Sequence, residues 1–197
     1  GVFVFQAEVG VPVRVRVRGV GDVYQRQIHG AAPISPTMKQ QMIDWWGPIL
    51  LEYYSGTEGI GLSLIDSHEW ATHPGSVGRV VKGVAHILDA AGHEVPPGQT
   101  GVIYFGGVAP FAYYGEPEKT AARTSAEGYQ TFGDIGRIDP DGFMYLTDRL
   151  DDMIISGGVN IYPQEIEKAL EEMPEVADCA VVGRDDPAFG ERPVAFV

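Results

Sequence analysis

Tyr54, Thr57 and Glu58 lie within one short stretch, EYYSGTEG at residues 52–59. An aromatic ring can stack on a flat heterocycle. A threonine hydroxyl can donate to a phosphate oxygen. A glutamate is a hard oxygen ligand, of the kind Mg2+ takes where it bridges phosphates. Two further stretches carry compatible chemistry. Gly30, Ala31 and Ala32, in IHGAAP, are small enough for the backbone to approach a flat ring and read its edge. Asp134, in FGDIG, has a carboxylate that can accept from both hydroxyls of a ribose. Taken alone, EYYSGTEG reads as a buried strand with a polar exit loop, so the elements around it must decide.

Those elements are legible in part. IHGAAP ends a strand at a small-residue loop. SPTMKQQMIDWW reads as a helix, capped by Ser35, with Pro36 in its first turn and Met38, Met42 and Trp45 on a shared face. GPILLEYYS reads as a short apolar strand, buried and parallel. From 75 to 148 the pattern changes to short strands and Gly/Pro turns, including DAAGHEVPPGQTG and the tight turn DPDG, the signature of a small β-barrel or curled sheet. DRLDDMIISGGVNIYP separates that block from a helix, PQEIEKALEEM, with Pro163 in its first turn and Ile166, Leu170 and Met173 along one stripe. VADCAVVG and RPVAFV follow as apolar strands of a small α+β unit.

Composition narrows the class. The chain has 197 residues, 44% of them hydrophobic, enough for one large domain or one and a half small ones. Its net charge of −13 repels phosphate backbones and argues against a nucleic-acid partner. A lone cysteine, Cys179, permits no internal disulfide and suits a reducing compartment. No apolar run approaches the roughly 18 residues that span a bilayer. The start, GVFVFQAEVG, has neither an initiator Met nor a basic leader, so the chain reads as a fragment of a soluble cytoplasmic protein. Residues 1–29 read as an atypical segment; VRVRVRG within it is open to three readings, a solvated edge strand, an anion-binding strand, or a stretch foreign to this fold.

Four motifs stand in order: GAAP at 30–33, YSGTE at 54–58, FGD at 132–134 with DRLDD at 148–152, and SGGVNIYPQEIE at 156–167. In that order and spacing they resemble the adenylate-forming superfamily, which includes the AMP-dependent acyl- and aryl-CoA synthetases. The resemblance covers roughly residues 28–197. It implies a mixed α/β and α+β fold, an incomplete acyl-CoA synthetase-like one. Residues 30–149 would be the C-terminal portion of the large AMP-binding domain, a parallel-sheet piece plus a distorted β-barrel. Residues 150–197 would be a truncated small C-terminal domain.

The resemblance also implies roles. Gly30, Ala31, Ala32 and Tyr54 would surround adenine, Thr57 would meet phosphate, and Glu58 would hold Mg2+, with Thr57 and Glu58 the catalytic pair. Asp134 and Arg149 would bind ribose, although the family usually has Thr where Phe132 stands. Asp151 would be a hinge, and Gly157 and Gly158 would line the channel for coenzyme A. Gly56, Gly59, Ile60 and Gly61 would be walls of the acyl pocket. The implied reaction activates a fatty, aromatic or alicyclic carboxylic acid with Mg–ATP and passes the acyl group to coenzyme A. Two alternatives stay open, a non-catalytic nucleotide-binding module on this fold and an adenylation domain that loads a carrier protein. The family's upstream phosphate loop and its C-terminal lysine are not found among the 197 residues, so the chain by itself is expected to be a poor catalyst.

Overall fold

The computed structural model describes residues 26–30, 32 and 34–197. Ala31 and the VRVRVRG stretch fall outside the described residues. Strand β1 (Gln27–His29) pairs in parallel with β2 (Leu50–Ser55), and helix α1 (Pro36–Trp46) connects them. The chain then turns antiparallel through β3 (Leu62–Asp66), the short helix α2 (Ser67–Thr72) and β4 (Ser76–Lys82). Next come β5 (Val84–Leu88), β6 (Gly101–Gly106), helix α3 (Pro117–Ala122), β7 (Asp134–Ile138) and β8 (Met144–Arg149). Hydrogen bonding joins all eight strands in the order β1-β2-β3-β4-β8-β7-β6-β5, so the parallel piece and the hairpin-rich block form one run of sheet. Register shifts in the pairings of β3 with β4, β4 with β8 and β7 with β8 mark bulges, which bend and twist a sheet.

Local chemistry accounts for several boundaries. Ser35 caps α1 by accepting from the Met38 N–H, and Gly47, at φ +83°, ends it. Asp66 caps α2 by accepting from the His68 and Glu69 N–H groups. In DPDG the Asp139 carboxylate accepts from the Asp141 and Phe143 N–H groups, which closes the β7–β8 turn. Ile60, Val77, Ile87, Ile103, Phe105 and Met144 form the core of the block, and Ile65, Trp70 and Phe143 form a second cluster.

The expected apolar face of α1 is corrected by the structure. Met38 is 52% and Trp45 65% exposed, whereas Lys39 is fully buried. The helix turns Lys39 and, one turn on, Ile43 toward the sheet, because the buried carboxylate of Glu52 on β2 takes the Lys39 ammonium as its partner.

After β8 the chain forms a second sheet, ordered β10-β9-β12-β11. Its strands are β9 (Ile154–Ser156), β10 (Val159–Ile161), β11 (Ala180–Asp186) and β12 (Gly190–Phe196), with helix α4 (Pro163–Glu171) between β10 and β11. The stretch that reads as a separator is in part a hairpin. Gly157 and Gly158, at φ +57° and +82°, supply its two-residue turn, a conformation open to glycine at little cost. Ile166 and Leu170 lie half-buried on α4, but Met173 falls beyond the helix end and is exposed. The hydrogen bonds that tie this unit to the first sheet include one from the Gln164 N–H to Asp148 Oδ2 at 3.1 Å. Among the described residues no helix is long and apolar enough to cross a membrane.

Candidate nucleotide site

β2 and its exit loop carry the first half of the site. The Tyr54 hydroxyl donates to Asp134 Oδ2 at 2.6 Å. Asp134 opens β7 and stands opposite Arg149, the last residue of β8, in the antiparallel register. Arg149 Nε lies 3.6 Å from Asp134 Oδ1. The two strands therefore bring Tyr54, Asp134 and Arg149 into one chain of contacts. Burial, reinforced by the neighbouring Asp134 carboxylate, pushes the Tyr54 phenol far above its ordinary range, so it stays a neutral donor.

Phe132 packs against this chain of contacts. Its ring meets Tyr54 edge-on, with centroids 5.7 Å apart. It also fills the space above Gly56, where a Cβ would come within 2.5 Å of the Phe132 ring. Gly56 is thus required by packing at the tip of the loop. Ser55 Oγ donates to the Gly61 carbonyl at 2.7 Å and the Gly59 N–H donates to the Gly56 carbonyl at 3.0 Å, which fold residues 56–61 into a tight loop.

Glu58 and Thr57 lie on that loop. Thr57 Oγ1 donates to Glu58 Oε2 at 3.3 Å, and the Tyr113 hydroxyl donates to Glu58 Oε1 at 2.8 Å. Burial raises the Glu58 carboxyl, but a backbone N–H, Tyr113, Thr57 and the charge of Arg123 outweigh it and hold the group below its ordinary value. Glu58 is therefore an ionised carboxylate with an exposed hydroxyl beside it, a set of hard oxygens. Sequence reasoning missed Tyr113, which sits before α3 and 55 residues from Glu58, with no local pattern linking the two.

Gly30 follows β1, and a Cβ there would meet the Tyr53 ring and carbonyl at 2.6 Å, so its close approach is to the neighbouring strand. Ala32 is exposed. Ile60 is 1% exposed and packs in the core of the block, while a Cβ on Gly61 would enter the Phe105 ring. Gly59 takes a positive φ of 66° in the loop. Asp151 lies just after β8, paired with Arg123 at 2.5 Å. Gly157 and Gly158 sit in the β9–β10 turn, where the Gly157 N–H donates to the Phe189 carbonyl.

A buried polar cluster lies under the start of the small-residue loop. Lys39 donates to Glu52 Oε2, and the same oxygen lies 3.6 Å from His29 Nε2. His29 immediately precedes Gly30, is the register partner of Glu52, and its Nε2 is buried without a hydrogen-bond partner. The Lys39 ammonium also stands 5.0 Å from the centre of the Trp70 ring. Burial lowers the Lys39 ammonium, with Glu52 opposing the shift. Burial also lowers His29, with Glu52 opposing and Lys39 adding to the shift. The signal available in the sequence was the single glutamate inside the otherwise apolar LLEYY.

The fold and this arrangement coincide with a family. The chain belongs to the AMP-binding enzymes: the family model matches residues 15–114, and that of the AMP-binding enzyme C-terminal domain matches residues 165–197. It is a member of the adenylate-forming superfamily. The first match begins inside the segment that reads as atypical. The chain is 35% identical over 173 residues to the medium/long-chain-fatty-acid–CoA ligase FadD8 of Mycobacterium tuberculosis, covering 86% of this chain and 30% of the relative. It is 37% identical over 171 residues to a feruloyl-CoA synthase of an Amycolatopsis species, covering 85% of this chain and 34% of the relative. Among solved structures, ATP-bound MatB from Rhodopseudomonas palustris superposes with a TM-score of 0.76 at 33% identity, over 86% of this chain and 34% of that one. The chain thus spans about a third of the length of these relatives.

Proposed function

We propose that this chain contributes the nucleotide-handling part of an AMP-forming acid–thiol ligase. Its substrates are a fatty, aromatic or alicyclic carboxylic acid, Mg–ATP and coenzyme A. The observation that carries the reading is the convergence of Tyr54, Asp134 and Arg149 beside the loop that presents Thr57 and Glu58. The names of FadD8 and feruloyl-CoA synthase support a thioester product and an acid with a long or aromatic tail. The lone cysteine fits a reducing, cytoplasmic setting.

In the first half-reaction a carboxylate oxygen bonds to the α-phosphorus and the bond from that phosphorus to pyrophosphate breaks. Asp134, held by Tyr54 and Arg149, accepts from the ribose hydroxyls and sets the nucleoside at a fixed depth. The Thr57 hydroxyl, which donates to Glu58 Oε2 in this structure, turns to donate to a phosphate oxygen. The ionised Glu58 fits Mg2+, which takes one or two carboxylates together with substrate phosphates. Bound there, Mg2+ would neutralise phosphate charge. Tyr113 keeps the Glu58 carboxylate aimed and ionised. In the second half-reaction the thiol sulfur, having given up its proton, bonds to the acyl carbon and AMP departs. Residues 30–149 act as part of the large domain and residues 150–197 as part of the small one, which turns at Asp151 so that Gly157 and Gly158 admit the thin thiol arm.

The test is acid-dependent ATP–pyrophosphate exchange by the full-length protein across fatty, aromatic and alicyclic acids. Exchange with at least one class, followed by acyl-CoA formation, is expected. Nucleotide binding without exchange for any acid would replace this reading with a non-catalytic module. Transfer to a carrier protein but not to free coenzyme A would replace it with carrier loading.

A further inference from the structure

Arg123 caps the C-terminal end of α3 and stands between two parts of the site. Its Nη2 lies 2.5 Å from Asp151 Oδ2. Its guanidinium is lodged against the Gly133 backbone: a Cβ added to Gly133 would fall 2.1 Å from Arg123 Nη1. Gly133 has φ +89° and precedes Asp134. From its other side, the Gly133 carbonyl accepts from the Leu150 N–H at 2.7 Å, one residue before Asp151. The Arg123 backbone is fixed as well, since its carbonyl accepts from the Thr131 N–H at 3.0 Å.

We propose that Arg123 is a positioning residue that latches the inter-domain hinge: wedged against Gly133, it pairs with Asp151 and holds the point where the C-terminal unit departs from β8. The inference rests on the hinge role given to Asp151 above. An ordinary surface ion pair would do little, because two mobile side chains lose as much entropy as the pair gains. Here one partner is held by packing. The Arg123 side chain is 20% exposed and pre-set by its packing, whereas that of Asp151 is 68% exposed. A latch of this kind is weak enough to open in each catalytic cycle and strong enough to bias which arrangement is populated. Arg123 also lies close enough to Glu58 and Tyr113 for its charge to act on both. Phosphate arriving at Glu58 therefore enters the field of the cation that holds the hinge.

The experiment compares Arg123→Gln, Arg123→Lys, Asp151→Asn and the Gln/Asn double variant in the full-length protein. Hydrogen exchange of the 150–152 amides in the nucleotide-free state reads the latch without reference to activity. Arg123→Gln and Asp151→Asn should each speed that exchange about threefold or more and leave β2 unchanged. The double variant should be no faster than either single, since both remove one interaction. Arg123→Lys, which keeps the charge, should recover part of the protection. Single-turnover pyrophosphate release and acyl transfer from preformed adenylate should change unequally in Arg123→Gln, by at least threefold in their ratio. Unchanged exchange at 150–152, or additive effects in the double variant, overturns the latch. If no acid supports adenylation, the functional reading fails, and the exchange measurement still decides the latch.

Discussion

Tyr54 on β2 and Asp134 on β7 are 80 residues apart in the chain and meet through a 2.6 Å hydrogen bond, the shortest link between the two halves of the site. Tyr54→Phe keeps the ring against Phe132 and removes only the hydroxyl. Asp134 is then a buried carboxylate with Arg149 as its remaining side-chain partner. A hydrogen bond to a charged group contributes about 1.5–3 kcal/mol. The variant should lose stability on that scale by urea denaturation and bind ATP more weakly. Equal stability and equal ATP affinity would show that this bond organises nothing.

The pairing of Lys39 with Glu52 predicts a different pattern. Lys39→Met leaves a buried carboxylate without its cation, a change that costs about 3–5 kcal/mol. Adding Glu52→Gln removes the orphaned charge and should restore most of the loss. A double variant as unstable as the single one would mean that the lysine stem, and not the charge, supports the fold.

His29 should make stability fall on mild acidification. Burial lowers its folded-state pKa below the ordinary 6.5, against the pull of Glu52 and with the push of Lys39. The unfolded chain therefore binds more protons just below pH 6.5, and stability rises with pH across that window. His29→Asn should flatten this part of a denaturation midpoint-against-pH curve. The test fails if the slope between the folded-state value and pH 6.5 is the same in both proteins.

Glu58→Gln keeps the size of the side chain and removes its charge. The expected loss in ATP–pyrophosphate exchange is about 2–4 kcal/mol in the barrier, the scale of one strong electrostatic group. The Glu58 carboxyl lies below its ordinary 4.5, so its favourable contacts help stability above that pH and are lost as pH falls through the lowered value. Unchanged exchange activity would remove Glu58 from the metal-holding role.

What could be read from the sequence was what local physics decides. Ser35 before a helix, Asp139 in DPDG and the small residues around Thr57 act through neighbours a few positions away. The buried face of α1 was not legible, because Lys39 is drawn inward by a carboxylate on β2, 13 residues on and in another element. Tyr113 and Arg123 were hidden for the same reason: their partners Glu58 and Asp151 lie 55 and 28 residues away. The fit of the Phe132 ring into the gap that Gly56 leaves was not legible either, since 76 residues separate the two. The hairpin at Gly157 and Gly158 carries a local signal, a two-glycine turn between two β-branched runs.

The sharpest prediction separates the two half-reactions. Asp151→Pro fixes one backbone dihedral near −65° and restricts Leu150 before it. The Leu150 N–H, bonded to Gly133, remains available. Gly158→Leu meets no atom within 4 Å of its new Cβ, so the side chain has room, although φ +82° strains any non-glycine residue there. Neither change touches Tyr54, Asp134 or Glu58. In the full-length protein both variants should keep much of their acyl-adenylate formation and lose thioester formation tenfold or more, about 1.4 kcal/mol or above. Pyrophosphate release in a single turnover reads the first step, and acyl-CoA formation from preformed adenylate reads the second. If both steps fall together, Asp151 and Gly158 merely support the fold, and the C-terminal unit does not turn about Asp151 between the two reactions.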